Sequence, residues 1–152
     1  MSIIRAYRQE DQSAVLDIWL AASRVGHPFF SEAELLRQYG IVRDQYLHAA
    51  EIWIAENETG PAGFIAMLGP MIGALFVAPE QHGKGIGSQL ISAMQKKYGE
   101  IEVGVLQPNA SAHHFYCNCG FVEFAREETT EVNPPQTVIL MRLGGAGKSQ
   151  AH

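Results

Sequence analysis

The chain switches between two hydrophobic periods. After Asp11, the residues Val15, Ile18, Trp19 and Ala22 recur at the i, i+3, i+4, i+7 spacing that lines one face of a helix. Asp11 is a suitable N-cap for it, and "RVGHPFF" ends it with Gly26 and Pro28. A second helix opens at Ser31, which forms a capping box with Glu34, while Phe30 and Leu35 stand at staple positions. Its stripe continues through Tyr39, Val42 and Tyr46. Gly40 interrupts it, leaving two short helices or one bent one. Ile86, Leu90, Ile91 and Met94 mark a third apolar face, with Lys96 and Lys97 in its last turn and Gly99 at its end. A short helix runs from a cap at Asn109 to Cys119 and stops at Gly120.

Strand-like runs fill the intervals. "SIIRAY" precedes the first helix. "EIWIAE", "AGFIAMLG" and "MIGALFVAP" follow the second, joined by the turn clusters "NETGP" and Gly69-Pro70, and read as an antiparallel meander. "IEVGVLQ" comes after the third helix, and a helical crossover makes it parallel to "ALFV". "FVEFARE" and "QTVILMRL" close the chain around "TTEVNPP". The predicted order is β-α-α-β-β-β-α-β-α-β-β. This is an α/β (α+β) domain over residues 1–143, with a mixed, mostly antiparallel sheet flanked by helices. The tail, residues 144–152, offers no large apolar side chain and is expected to be disordered.

Composition fits that picture. A chain of 152 residues, 47% hydrophobic and 18% charged, is suited to one globular domain with a single good core. No apolar run reaches membrane-spanning length, and "MSIIRAYRQED" lacks the apolar core of a signal peptide, so a cytoplasmic location without membrane attachment is expected. A net charge of −5 argues against a nucleic-acid partner. Cys117 and Cys119 are too few and too close for a disulfide framework, and free thiols fit a reducing compartment. A homodimer is left open.

Two glycine clusters invite a phosphate. "LGGAGKS" imitates a P-loop, but Arg142 stands where its first glycine belongs, and too few residues follow Lys148 to build a helix. "APEQHGKGIGSQL" is better placed. Gly83, Gly85 and Gly87 lie between a strand and a helix, where bare backbone amides meet a helix N-terminus and make an anion site. The dinucleotide form G-x-G-x-x-G is not met, because the last position is Leu90. His113 and Cys117 are one helical turn apart, but Cys119 points about 200 degrees away from Cys117. With no second ligand pair, a metal site is not predicted.

Element order and loop together resemble the GNAT superfamily of acetyl-CoA-dependent N-acetyltransferases over about residues 2 to 143. The family's loop, Gln/Arg-x-x-Gly-x-Gly/Ala, is filled by His82-Gly83-Lys84-Gly85-Ile86-Gly87, with His82 departing from the family's Gln or Arg. The family's Asn, Phe-Tyr helix and Gly-Phe appear as Asn109, Phe115-Tyr116 and Gly120-Phe121. The resemblance implies that amides from His82 to Ser88 hold the coenzyme A pyrophosphate, with Lys84 a possible point charge and Asn109 a further contact. Leu75, Phe76 and Val77 would pair through their backbone with the pantetheine arm, and an amide near Val77 would polarise the thioester carbonyl.

Tyr116 would protonate the departing thiolate. Its bland reading is core packing, since Ala112, Phe115, Tyr116 and Cys119 form one helical stripe. The acceptor would be a primary amine of a small molecule or peptide, attacking directly. The strand "MIGALFVA" lacks the carboxylate that many members carry as base. His27, Glu32, Asp44 and His48 lie near the implied acceptor side, with His27 and Phe29 as candidate acceptor contacts; a rigid aromatic plug is the other reading of "GHPFF". The run "EETTE" would attract a cationic acceptor or form a solvated hairpin loop. A non-catalytic acyl-CoA sensor is the rival reading, and Tyr116 discriminates, because a sensor needs no thiol-protonating group.

Overall fold

The structure, a computed structural model, describes residues 2–144. Of the tail expected to be disordered, residues 144–152, all but Gly144 lie outside that range. The apolar stripes generate the elements. Strand β1 (Ile3–Ala6) leads through a 3-10 turn into helix α1 (Gln12–Gly26), whose Val15, Ile18, Trp19 and Ala22 are all buried. Asp11 precedes α1 but does not cap it with its side chain. Its carboxylate instead accepts from the Arg5 guanidinium at 2.8 and 2.9 Å and from the Arg8 N–H at 2.8 Å, because a nearby cation is a stronger partner than a helix amide. Helix α2 (Glu32–Ile41) starts at Ser31, whose Oγ accepts from the Glu34 N–H at 3.0 Å. Gly40 lies within α2, which ends one residue later at Ile41. The chain continues through a π-helical segment, Val42–Tyr46, into a last α-turn, α3 (Leu47–Ala49).

Strands β2 (Glu51–Asn57), β3 (Gly60–Leu68) and β4 (Met71–Val77) form the predicted antiparallel meander. Helix α4 (Ile86–Tyr98) crosses to β5 (Ile101–Leu106), which lies parallel to β4. Helix α5 (Ala110–Asn118) leads to β6 (Val122–Thr129) and β7 (Gln136–Leu143). The sheet order is β1-β2-β3-β4-β5-β7-β6. Strand β7 therefore enters between β5 and β6 and leaves β6 at the edge, a swap that local pattern does not encode.

The sheet carries a core on each face. Val15, Trp19 and Leu47 pack with Ile54, Phe64 and Ala66 on one side. Leu90, Ile91 and Met94 pack with Ile65, Ile101 and Met141 on the other. Strands β4 and β5 are held at one end only. Met71 partners Glu102 and Ile72 partners Val103, after which the strands part. That fork, between the two cores, positions everything that follows.

Candidate active site

The far end of β4 leads to the glycine loop. Ala78 and a 3-10 turn, Pro79–Gln81, connect to residues 82–85, and α4 begins at Ile86. Gly83 and Gly85 have φ of +82° and +76°, a left-handed backbone that side chains disfavour. Gly87 is needed for space: a Cβ there would lie 2.9 Å from Cζ of Phe115 on α5. No side chain caps α4, and its first intrahelical bond is Gln89 N–H to the Gly85 carbonyl at 3.0 Å. The N–H groups of Ile86, Gly87 and Ser88 are thus left for a ligand, with the positive end of the helix dipole behind them. Gln81, buried, fixes the loop: its Oε1 accepts from Asn57 Nδ2 at 3.0 Å and Lys84 Nζ at 3.1 Å.

The loop opens on a cleft of about 520 Å³ that runs along the fork. Leu75, Phe76, Val77, His82, Gly83, Gly85, Ile86, Gly87, Ser88, Asn109 and Tyr116 all line it. Lys84 does not line it, its ammonium turning to Gln81. His82 lines it, but one ring nitrogen is engaged: Nε2 donates to the Val77 carbonyl at 3.0 Å. Beyond Ile72 the β4 edge has no β5 partner, so backbone donors and acceptors face the gap. An extended, amide-bearing chain fits such an edge, and an anion fits the helix terminus beside it.

Asn109 caps α5, its Oδ1 accepting from the Ala112 N–H at 3.2 Å. Tyr116, about two turns on, is only 6% exposed and rests edge-on between Phe115 and Phe121, at 5.1 and 5.2 Å between ring centroids. It belongs to the core and also lines the cleft. Desolvation pushes its phenol well above the usual tyrosine range, so it holds its proton at neutral pH. Among the described residues its hydroxyl has no hydrogen-bond partner. Among the described residues Ser23 Oγ is the one sealed-off side-chain polar atom in that condition, so the Tyr116 hydroxyl reaches accessible space.

His27 and Phe29 do not line the cleft. The His27 ring lies edge-on to Phe29, Phe30 and Phe76, at 5.5, 5.8 and 6.4 Å. Burial lowers its pKa to about 4. Glu32 is paired with Arg24 and Asp44 with Arg43. His113 meets Cys117 at 3.9 Å, whereas Cys119 faces Ser88 at 4.0 Å. Sequence periodicity missed the contribution of α1. Ala22, Val25 and Gly26 wall the cleft. The available signal was Val25, an apolar residue off the buried stripe and 62% exposed.

Residues 48–123 match the acetyltransferase (GNAT) domain family. The chain is 32% identical over 133 residues to peptidyl-lysine N-acetyltransferase YiaC of Escherichia coli (strain K12), covering 86% of this chain and 91% of that protein. It is 29% identical over 144 residues to peptidyl-lysine N-acetyltransferase YjaB of the same organism, covering 94% and 97%. The solution structure of apo-form YjaB from Escherichia coli superposes with a TM-score of 0.86 at 28% identity, covering 96% of this chain and 99% of that one. The chain belongs to the GNAT acetyltransferase family, and the protein is an acetyl-transferring enzyme.

Proposed function

We propose that the protein moves the acetyl group of acetyl-CoA to the side-chain amine of a lysine in a peptide or protein. The observation that carries the coenzyme is the fork: an uncapped helix terminus, an unpaired strand edge and a protonated tyrosine share one cleft. The pyrophosphate lies against the amides of Ile86, Gly87 and Ser88, and the pantetheine arm extends along Leu75 to Val77. Gly83 and Gly85 supply the turn, His82 holds the strand end, and Asn109 closes the other wall. The lysine acceptor is supported by the two relatives, both peptidyl-lysine enzymes by name and both aligned over most of the chain.

The neutral amine attacks the thioester carbonyl carbon. A C–N bond forms as the C–S bond breaks, and the amine loses its extra proton to water. Tyr116 donates its phenolic proton to the departing thiolate and is reprotonated from solvent. A thiol-release assay with acetyl-CoA tests the reading. A lysine peptide with a blocked N-terminus should release thiol and gain one acetyl group, while the same peptide with arginine for lysine should not. Equal release from both peptides would remove lysine as acceptor.

A further inference from the structure

Gly73 is the first residue of β4 past the fork, and it is irregular in three ways. It follows Ile72, which makes the last pairing with β5. It is skipped in the β3–β4 register, where Met67 partners Ile72 and Ala66 partners Ala74, so the strand bulges there. The space its side chain would fill is occupied: a Cβ on Gly73 would lie 1.4 Å from Tyr46 Oη and 2.6 Å from Cζ. β-Bulges recur beside active sites, where they re-aim a group.

Tyr46 reaches that point because it ends the π-helical segment Val42–Tyr46. The wider turn shifts the phase of the helix and sends the ring over the sheet. Its ring packs against the core on the α1 side, which fixes the position of the hydroxyl. The hydroxyl has no hydrogen-bond partner among the described residues, and it is not sealed off, by the same reasoning as for Tyr116. Leu75, in the cleft wall, is two residues along β4 from Gly73, roughly 7 Å, while Tyr46 itself stands outside the cleft lining. The strand itself supplies no carboxylate between Met71 and Val77.

We propose that the Tyr46 hydroxyl binds the acceptor amine, accepting one of its hydrogens at the fork and holding the nitrogen towards the thioester. Tyr46 thus occupies, from a helix, the place of a β4 side chain, and Gly73 is glycine so that it can. The inference rests on the acetyl-CoA reading above. Burial raises the Tyr46 pKa, so the group acts as a neutral hydrogen-bonding contact rather than as the base.

The test is steady-state kinetics of Tyr46→Phe with a lysine peptide and with n-butylamine as minimal acceptor, alongside thermal shift by acetyl-CoA. Acceptor KM should rise about tenfold, as for loss of one hydrogen bond, with the coenzyme-induced shift unchanged. Gly73→Ala should raise it similarly by displacing the hydroxyl, and should add little in a Tyr46→Phe background. A plug for the bulge would instead lower the melting temperature and leave acceptor KM alone, which overturns the proposal. Wild-type preference for butylamine over the peptide would overturn the lysine reading only, because the ratio of variant to wild type still judges Tyr46. No turnover with either amine would overturn both.

Discussion

At the residue scale, the fork places two unpartnered tyrosine hydroxyls on opposite sides of β4. Tyr116 comes from the α5 face and Tyr46 from the α2 side. If Tyr116 is the acid, Tyr116→Phe should lower turnover by roughly 10²-fold or more, because positioned acid catalysis contributes about that much. Coenzyme affinity and melting temperature should change little, since the ring stays in its aromatic stack. Single-turnover measurement keeps product release from masking the effect. A loss of stability with unchanged turnover would return Tyr116 to plain packing. Tyr116 was singled out in the sequence because its Phe-Tyr pair matches the family's motif, whereas its spacing alone fits a core stripe. Tyr46 was not: it continued an apolar stripe, and only the π-helical turn gives it another destination.

His27 makes a separate prediction at this scale. Its pKa falls from the model-peptide 6.5 to about 4 because its ring is buried among aromatics. Between those values the unfolded chain binds the extra proton and the folded chain does not. Stability should therefore decline as pH falls from about 6.5 to 4, with a slope of at most about 1.4 kcal/mol per pH unit. Urea midpoints across that window should slope less in His27→Phe than in wild type. Equal slopes would show that another group titrates there.

At the element scale, one loop contains glycines with different duties. Gly83 and Gly85 satisfy a left-handed backbone, whereas Gly87 admits Phe115 against the first turn of α4. Spacing and the family resemblance together pointed to a loop for an anion but could not separate these roles, because the Phe115 contact joins two helices. Gly85→Asp should abolish the acetyl-CoA thermal shift, by straining the turn and by setting a carboxylate at the anion site. Equal shifts in variant and wild type would take the loop out of the site. The element order and the parallel run of β4 and β5 were legible, since a helical crossover imposes parallel strands. The β5-β7-β6 order was not, because two closing strands of similar pattern carry no local mark of which one pairs with β5.

At the scale of the whole molecule, the fork is bridged from outside. The Glu34 carboxylate on α2 is buried and accepts from the Arg37 guanidinium at 2.8 and 2.6 Å and from Gln38 at 2.8 Å. It also accepts at 3.1 Å from the Asn133 N–H, 99 residues away in the β6–β7 connection, where Arg37 in turn donates to the Glu131 carbonyl at 2.9 Å. The helical run that carries Tyr46 is thereby tied to the β6–β7 connection, whose strands lie beyond β5. The capping box predicted at Ser31 is half spent on this: Ser31 caps the helix, and Glu34 holds the bridge. The Arg37 bonds hold the Glu34 carboxyl down at about 2. That contribution is fully present above the unfolded pKa near 4.5 and is lost as pH falls towards 2. Glu34→Gln keeps an acceptor for Asn133 but loses the charge for Arg37. It should destabilise by about 1–3 kcal/mol at pH 7, read from urea unfolding with an unchanged m-value. The difference between variant and wild type should shrink as pH drops through 4.5, because protonation makes the wild-type group neutral as well. A difference that stayed constant from pH 7 to 3 would mean that the carboxylate charge is not what ties the helix to the hairpin.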